Sequence, residues 1–251
     1  MSGHSKWSSI KHKKGAADAK RGKLFSKLTR AIIVAARDGG PDPGGNLALQ
    51  NAVEKARAAS MPKDNIDRAI AKGAGTDSDS AAYETVVYEG YGPAGVAVIV
   101  EALTENRNRT AAEVRHIFSK NDGNLGTSGA VAWLFERRGV VLVPADGVDE
   151  DELTLAAAEG GADDVALDGS SFEVLCAAEQ LASVRGAIAA AGFTIEAAEL
   201  TMLPKTTVAV EDESEAKKIL RLMDQLEDDD DVQDVYANFD IPERVLELVA
   251  G

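Results

Sequence analysis

The chain has a single cysteine, Cys176, among its 251 residues, so it cannot close an internal disulfide bond. That scarcity is typical of proteins from a reducing compartment. No apolar run approaches the roughly 20 residues that a membrane-spanning helix needs. The N-terminus carries charge but lacks the apolar core of a secretory signal, and no leader precedes its basic segment. These absences predict a cytoplasmic protein that starts at this segment and has no membrane partner.

Histidine is also scarce, with only His4, His12 and His116. The sequence has no HExxH pattern and no Cys/His ligand spacing, so we predict no metal site. It lacks GxSxG, a dinucleotide fingerprint and a Walker loop, so we predict neither a cofactor nor an enzyme. A hydrolase or nuclease is left as the alternative, because the 36 acidic residues after Gly75 make chance carboxylate pairs inevitable. Loss of turnover with intact binding, after substitution of one carboxylate, would identify such an enzyme.

Acidic residues are scarce at one end of the chain only. Through Gly75, fifteen lysines and arginines stand against six aspartates and glutamates, whereas the remainder has twelve against 36. The net charge of −15 therefore hides an N-terminal region of +9. A basic end on an acidic body predicts one part that binds a polyanion and another that keeps clear of it.

The first 23 residues are densely basic and contain one aromatic residue, Trp7. Serines and glycines interrupt any apolar pattern there, and the first dozen residues are predicted to be an extended or mobile arm. Its lysines would contact phosphates, and Trp7 would either stack on a base or anchor the arm on the adjacent helices. The candidate nucleic-acid-binding residues of the N-terminal region are Lys6, Trp7, Lys11, His12, Lys13, Lys14, Lys20, Arg21, Lys23, Lys27 and Arg30.

Residues 1–75 are predicted to form one domain, in which the basic arm precedes a three-helix bundle. An apolar stripe that starts at Leu24 predicts the first helix, and a Gly-Gly-Pro run ends it. Asn46 is a candidate N-cap of the second helix, and Gly73 is a candidate C′ residue of the third. The polar face of this bundle is predicted to carry Lys27, Arg30, Lys55, Arg57, Lys63, Arg68 and Lys72.

An α/β domain is predicted from residues 83–136 and 206–251 together. Its first two strands, residues 84–91 and 95–102, are joined by a turn with the sequence YGPAG. Alternating apolar residues around Trp133 predict a further strand, with Trp133 in the core.

Two arginines in this domain are further candidates for binding nucleic acid. A capping-box spacing from Thr110 to Glu113 predicts the start of a helix, which places Arg107 and Arg109 in the loop before it. Free N–H groups at a helix start, together with two guanidinium groups, favour an anion. The alternative is that these arginines pair with a local carboxylate such as Glu105.

Residues 137–205 show the order β-α-β-β-α-β, which is the ferredoxin-like arrangement, with Asp168–Gly169 as a hairpin dipeptide. The strand and helix patterns on either side resemble each other, so this domain is predicted to be inserted in the α/β domain. The later acidic run, residues 227–231, is predicted to be a solvated turn rather than a metal site.

Seven segments of the first 140 residues stand out together. They are, in chain order, GHSKWSSIKHKK, DAKRGKLFSKL, ARDGGPDP, MPKDNIDRAIAKG, YEGYGPAGVAVIVE, TENRNRTAAEVRHIFSKNDGNLG and VAWLFERRG. In sequence and in order they resemble segments of the YebC/PmpR family. The resemblance implies an α+β protein of three domains, an N-terminal helical bundle and two α/β domains, the third ferredoxin-like and inserted in the second. The segment NLALQNA departs from the family pattern, since relatives often have basic residues just after the preceding Pro-Asp-Pro loop.

The same resemblance implies a function without catalytic residues. Bacterial members of the family are described as cytoplasmic, DNA-binding transcriptional regulators, and mitochondrial relatives are translational activators of cytochrome c oxidase. The family is also linked to ribosome association and to relief of stalling at proline-rich sequences. We therefore predict a non-enzymatic nucleic-acid-binding regulator of gene expression. It is either a DNA-binding transcriptional regulator or a translation factor that binds ribosomal RNA, because a lysine-rich arm suits both polymers.

Overall fold

A computed structural model of the chain describes residues 18–75 and 83–250. It confirms the mixed α+β class, with helices at the N-terminal end and two α/β parts after them. By its internal contacts the chain divides into two compact units. We call residues 133–207 the inserted unit and the rest of the described chain the main unit. None of the helices in these residues combines the length and the apolar composition that would let it cross a membrane.

The N-terminal part of the main unit is a bundle of three helices. These are α1 (Asp18–Gly39), α2 (Leu47–Ala58) and α3 (Lys63–Gly73). Their apolar stripes meet in one core, where Ile32, Leu49 and Ile66 are almost fully buried. The helix α1 begins at Asp18 and not at Leu24, because the alanine, lysine and arginine residues before the buried stripe are strong helix formers. The predicted arm, the first dozen residues, lies outside the described part of the chain.

The helix α3 approaches α1 so closely that Gly73 has no room for a side chain. A Cβ atom there would lie 2.4 Å from the carbonyl oxygen of Ile33. The prediction of Gly73 as a C′ residue is wrong, since it is the last residue of α3, and Gly75 has the left-handed backbone, with φ +77°. The Asn46 cap is confirmed, because its Oδ1 accepts a hydrogen bond from the Leu49 N–H at 3.1 Å.

The remainder of the main unit is a four-stranded sheet with helices on one face. The strand order is β3-β1-β2-β9, all neighbours are antiparallel, and Phe118 and Leu226 lie in the core between sheet and helices. A short parallel pair, β8 with β10, stands apart from this sheet. The elements are β1 (Glu84–Tyr91), β2 (Ala97–Thr104), α4 (Arg107–Lys120), β3 (Asn124–Leu125), β8 (Val208–Ala209), α7 (Glu213–Asp228), β9 (Val232–Ala237), β10 (Phe239–Asp240) and α8 (Glu243–Ala250).

Of the predicted strand around Trp133, only Phe135 lies in a strand, as the first residue of Phe135–Pro144, and Trp133 is 65% exposed instead of buried. The buried Glu89 carboxylate accepts hydrogen bonds from the backbone N–H groups of Gly129, Val131 and Ala132, at 2.6 to 2.8 Å. Burial raises the pKa of the Glu89 carboxyl, but the three donors outweigh it and hold the pKa below its ordinary value. These backbone groups are thus used by a carboxylate and not by a neighbouring strand.

The inserted unit has the predicted ferredoxin-like fold. Its antiparallel sheet has the order β5-β6-β4-β7, with Val141, Leu153 and Ile188 in the core under the two helices. Gly169, with φ +63°, forms the turn between β5 and β6. The elements are β4 (Phe135–Pro144), α5 (Glu150–Glu159), β5 (Ala162–Asp168), β6 (Ser171–Ala177), α6 (Leu181–Ala190) and β7 (Ala197–Pro204).

Candidate nucleic-acid interface

The candidate residues of the N-terminal region divide at residue 18, where the described part of the chain begins. Two of them, Lys20 and Arg21, belong to the first turns of α1, and Lys23, Lys27 and Arg30 follow on the same helix. These five candidates therefore share one basic helix. The candidates that lie outside the described residues are Lys6, Trp7, Lys11, His12, Lys13 and Lys14.

One face of α1 lies against residues 227–231, which we call the acidic segment. Two lysines and one arginine at helical spacing on α1 donate hydrogen bonds to three backbone carbonyls of this segment. The pairs are Lys23 Nζ with the Asp228 oxygen at 3.0 Å, Lys27 Nζ with the Glu227 oxygen, and Arg30 Nη1 with the Asp230 oxygen. The bundle is therefore joined to the end of α7 by side chains that were predicted to contact phosphate.

These contacts have an electrostatic cause at the C-terminus of α7. The last carbonyls of a helix have no partner within the helix, and the helix dipole adds partial negative charge there. The carboxylates of the acidic segment make that end still more negative. Cations from α1 supply both the missing donors and the opposite charge. The prediction of a solvated turn is wrong for the last residue of the segment, since Asp231 is only 4% exposed.

The buried carboxylate of Asp231 receives four side-chain hydrogen bonds. Its Oδ2 accepts from Arg109 Nη2 at 2.6 Å, from Thr110 Oγ1 at 2.7 Å and from Thr104 Oγ1 at 3.1 Å. Its Oδ1 accepts from Arg30 Nη1 at 3.1 Å. Burial raises the pKa of Asp231, but the bonds from Arg109, Thr110 and Thr104 outweigh it and hold the pKa below its ordinary value. We call these five residues the Asp231 cluster.

The two candidate arginines of the α/β part lie in the first turn of α4, not in a loop before it. Asn106 caps this helix, since its Oδ1 accepts a hydrogen bond from the Arg109 N–H at 3.1 Å. Thr110 does not act as the predicted cap, because its hydroxyl is bonded to Asp231. The N-cap is therefore four residues earlier than the capping-box spacing indicates, and Arg107 is the first residue of the helix.

The side chains of the two arginines have different surroundings. Arg109 pairs with Asp231, 122 residues along the chain, rather than with the neighbouring Glu105. The side chain of Arg107 is exposed and forms no ion pair within residues 18–75 and 83–250, while its backbone oxygen accepts from the Tyr88 hydroxyl at 3.2 Å. Arg107 is thus open to an external anion, whereas Arg109 already holds an internal one.

Three carboxylates come together beside this arginine. Oxygens of Glu113, Asp229 and Asp231 lie within 4.8 Å of one another. The guanidinium of Arg109 bridges two of them, with Nη2 at 2.6 Å from Asp231 and Nε at 3.9 Å from Glu113. Burial and the nearby Asp229 raise the pKa of Glu113. The positive charge of Arg109 thus offsets part of the negative charge of these three carboxylates.

A groove of about 500 Å³ opens between α1 and α3, and we call it the bundle groove. Among the residues that the structure describes, three cations line it, Arg30, Arg68 and Lys72, and no carboxylate does. Two aromatic residues, Phe25 and Tyr83, also line it. Cationic groups next to aromatic rings are the combination that binds the backbone and the bases of nucleic acid.

Tyr83 is held in place by contacts to its ring, its backbone carbonyl and its hydroxyl. The guanidinium of Arg30 lies over it, 5.8 Å from the ring centroid. Arg37 Nη1 donates to the Tyr83 carbonyl oxygen at 2.8 Å. Burial and a hydrogen bond with Glu105 raise the pKa of the Tyr83 hydroxyl. The aromatic wall of the groove is therefore preorganised.

Of the groove cations, Arg30 was among the predicted binding residues, whereas Arg68 and Lys72 were not, and neither was Tyr83. Arg68 and Lys72 were placed on the predicted polar face, and their spacing of four along α3 was the available signal. The pattern alone does not reveal which part of that face α1 leaves open. Tyr83 follows the bundle and was assigned to the next domain, so nothing in its local sequence connected it with α1.

The described residues define a three-part α+β protein with a basic helical bundle, a four-stranded α/β part and a ferredoxin-like insertion. The chain belongs to the TACO1/YebC family. Its residues 5–76 match the model of the TACO1/YebC protein N-terminal domain, and residues 83–239 match that of the TACO1/YebC second and third domain. The resemblance to the YebC family is thus confirmed.

Bacterial relatives match over the whole chain. A protein of Rubrobacter xylanophilus is 59% identical over 251 residues, and one of Syntrophobacter fumaroxidans is 56% identical over 250 residues, with 100% of each chain covered. Both are named "Probable transcriptional regulatory protein". A crystal structure of a conserved hypothetical protein from Aquifex aeolicus matches with a TM-score of 0.80 and 51% identity, over 90% of this chain and 93% of that one. The names support a regulatory role.

Proposed function

We propose that the protein is a non-enzymatic regulator of gene expression that binds nucleic acid through its N-terminal region. One observation carries this proposal. Residues 1–75 contain fifteen lysines and arginines against six acidic residues, on a chain whose net charge is −15. Phosphate contacts supply most of the sequence-independent affinity of a protein for nucleic acid, and they need this local excess of cations.

The first form of the proposal is a DNA-binding transcriptional regulator that works in the cytoplasm. The names of the bacterial relatives support it. The lysines of residues 3–20 and the cations Arg68 and Lys72 of the bundle would neutralise phosphates, while the acidic remainder of the chain would be repelled from the same polymer.

The second form is a translation factor that associates with ribosomal RNA and relieves stalling at proline-rich sequences. A lysine-rich segment that contains one tryptophan favours it, because Trp7 could stack on an unpaired base while its neighbours contact phosphates. Co-sedimentation with ribosomes at moderate salt separates the two forms. Absence of the protein from ribosomal fractions would contradict this second form, and the first would remain.

The test of the shared proposal replaces Lys11, Lys13 and Lys14 with alanine. We expect weaker binding to every nucleic acid sequence and a salt dependence that is less steep by roughly 0.7 to 0.9 per lost phosphate contact. The affinity is measured by fluorescence anisotropy over a series of salt concentrations.

The matched control removes three exposed cations from the α/β part, by changing Arg115, Lys120 and Arg221 to alanine. It alters the net charge by the same amount and should leave the salt dependence unchanged. An unchanged slope in the Lys11, Lys13 and Lys14 variant would show that the N-terminal segment does not contact phosphate.

A further inference from the structure

We propose that the bundle groove holds one nucleotide of a single-stranded nucleic acid. This inference rests on the proposed function and names the place on the bundle where the strand is bound. The described residues that line the groove lie on α1, on α3 and at Tyr83.

The charge of the groove fits a phosphodiester group. Arg68 and Lys72 project from α3, and Arg30 projects from α1, so cations stand on both sides. The orientation of Arg68 is fixed, because its Nε donates to the Asp64 carbonyl oxygen at 3.1 Å and its Nη2 to Asn65 Oδ1. A guanidinium held in this way loses little conformational entropy when an anion binds.

The aromatic residues of the groove fit a base. Tyr83 is held by Arg30, by Arg37 and by Glu105, so its ring needs no ordering when a base arrives. Phe25 is half-buried in the same lining. Stacking of a base on an aromatic side chain contributes about 1 to 3 kcal/mol and tolerates any base.

The remaining lining and the size also agree with a nucleotide. Ser26, Thr29 and Asn65 add hydroxyl and amide groups that can bond to a base edge or a sugar. The volume of about 500 Å³ lies within the usual range of small-ligand sites. A base within a duplex is stacked on both faces and cannot enter such a groove, so the occupant is a single strand.

The test measures the binding of fluorescein-labelled ten-nucleotide oligouridylate and oligothymidylate at low salt. The groove variant carries Arg68→Gln and Lys72→Gln, and the control carries Lys55→Gln and Arg57→Gln, which removes two exposed cations of α2 outside the groove. We expect the groove variant to lose about tenfold in affinity and the control less than about threefold. Equal losses in the two variants would overturn the proposal.

A second pair of variants tests the stacking. Tyr83→Phe keeps the ring and should bind like the original chain, whereas Tyr83→Leu keeps apolar packing without a ring and should lose about fivefold. Thermal unfolding of both variants checks that the bundle is intact. Equal affinity of Tyr83→Leu and Tyr83→Phe would contradict a stacked base, even if both are folded.

The outcomes separate this inference from the function on which it rests. If the original chain binds the oligomers and the groove variant binds equally well, the groove proposal fails and the proposed function stands. If the original chain binds neither these oligomers nor duplexes, both fail. A groove variant that loses as much affinity for a duplex as for a single strand would also overturn the inference.

Discussion

The cations of the helical bundle fall into two sets with different partners. Lys23 and Lys27 on α1 bind backbone carbonyls at the acidic segment, within the protein itself. Arg68 and Lys72 on α3 line the bundle groove, where no carboxylate is found among the described lining residues. Arg30 belongs to both sets, since its Nη1 contacts Asp231 while its guanidinium lies over Tyr83.

The difference shows that positive charge alone does not identify a binding surface. The set on α1 satisfies the end of α7, where carbonyls without helical partners and several carboxylates need donors. The set on α3 has no such internal function in the groove, so it is the better candidate for an external polyanion. Substitutions that change the surroundings of one set at a time therefore distinguish the two roles.

The largest effect is expected from Asp231→Ala, which removes the acceptor at the centre of the Asp231 cluster. The hydroxyls of Thr104 and Thr110 lose a buried partner, and Arg30 and Arg109 lose their carboxylate. We expect the free energy of unfolding to fall by about 3 kcal/mol, because removing one member of a buried polar cluster strands the others. Urea denaturation of the full chain measures this loss.

A control for this variant is Asp230→Ala, which removes an exposed carboxylate from the same segment. Its backbone carbonyl, which accepts from Arg30, is retained. We expect a change below about 0.5 kcal/mol for this surface substitution. Equal stability of the two variants would contradict the role of Asp231.

The next largest effect is expected from Gly73→Ala, which alters how α3, the helix that carries Arg68 and Lys72, packs against α1. The added Cβ would meet the Ile33 carbonyl oxygen and the Ala36 side chain, so α3 must move away from α1. Overpacking of this kind costs about 1 to 3 kcal/mol. Thermal unfolding measures the loss, and Gly186→Ala, where no atom lies within 4 Å of the new Cβ, is the control. Equal melting temperatures of the two variants would contradict this close packing.

Acid should weaken the contacts between α1 and the acidic segment before it affects the groove cations of α3. The pKa values of Asp231 and Glu89 are lowered in the folded chain. Their stabilising contribution is therefore complete above the ordinary carboxyl pKa of about 4 and is lost as the pH falls through the lower folded values. We expect the Asp231→Ala variant to lose less stability than the original chain between about pH 4 and pH 2. A parallel pH dependence of the two proteins would contradict this assignment.

The smallest effects are expected from the two arginines of α4. Arg109→Gln should lower the melting temperature, because it removes a hydrogen bond to Asp231, whereas Arg107→Gln should leave the melting temperature unchanged. Arg107→Gln should instead weaken binding to nucleic acid slightly, by less than the groove variant does. If the double variant binds normally, both arginines have only structural roles.

Much of the fold followed from the sequence because local patterns determine it. Neighbouring residues determine the apolar stripe of α1, the Asn46 cap and the order of strands and helices in the inserted unit. The failures concern contacts between distant residues. The hydroxyl of Thr110 bonds to the distant Asp231 and does not cap the helix. Trp133 is exposed, and backbone N–H groups beside it donate to the distant Glu89.

The candidate site was predicted less well than the fold for the same reason. Its charge was evident, but the partners of each cation were not. No residue near Lys27 or Arg30 in the sequence indicates their contact with the acidic segment, which lies 200 residues further on. Equally, the position of Tyr83 beside Arg30 depends on how the chain returns to the bundle after α3.

Ultraviolet crosslinking of the full chain to a single-stranded oligonucleotide, followed by mass spectrometry of the attached peptides, tests the central claim most directly. The account predicts crosslinked peptides from residues 3–30 and from the groove, including Tyr83. Crosslinks confined to the inserted unit, residues 133–207, where fourteen acidic residues stand against four basic ones, would contradict it.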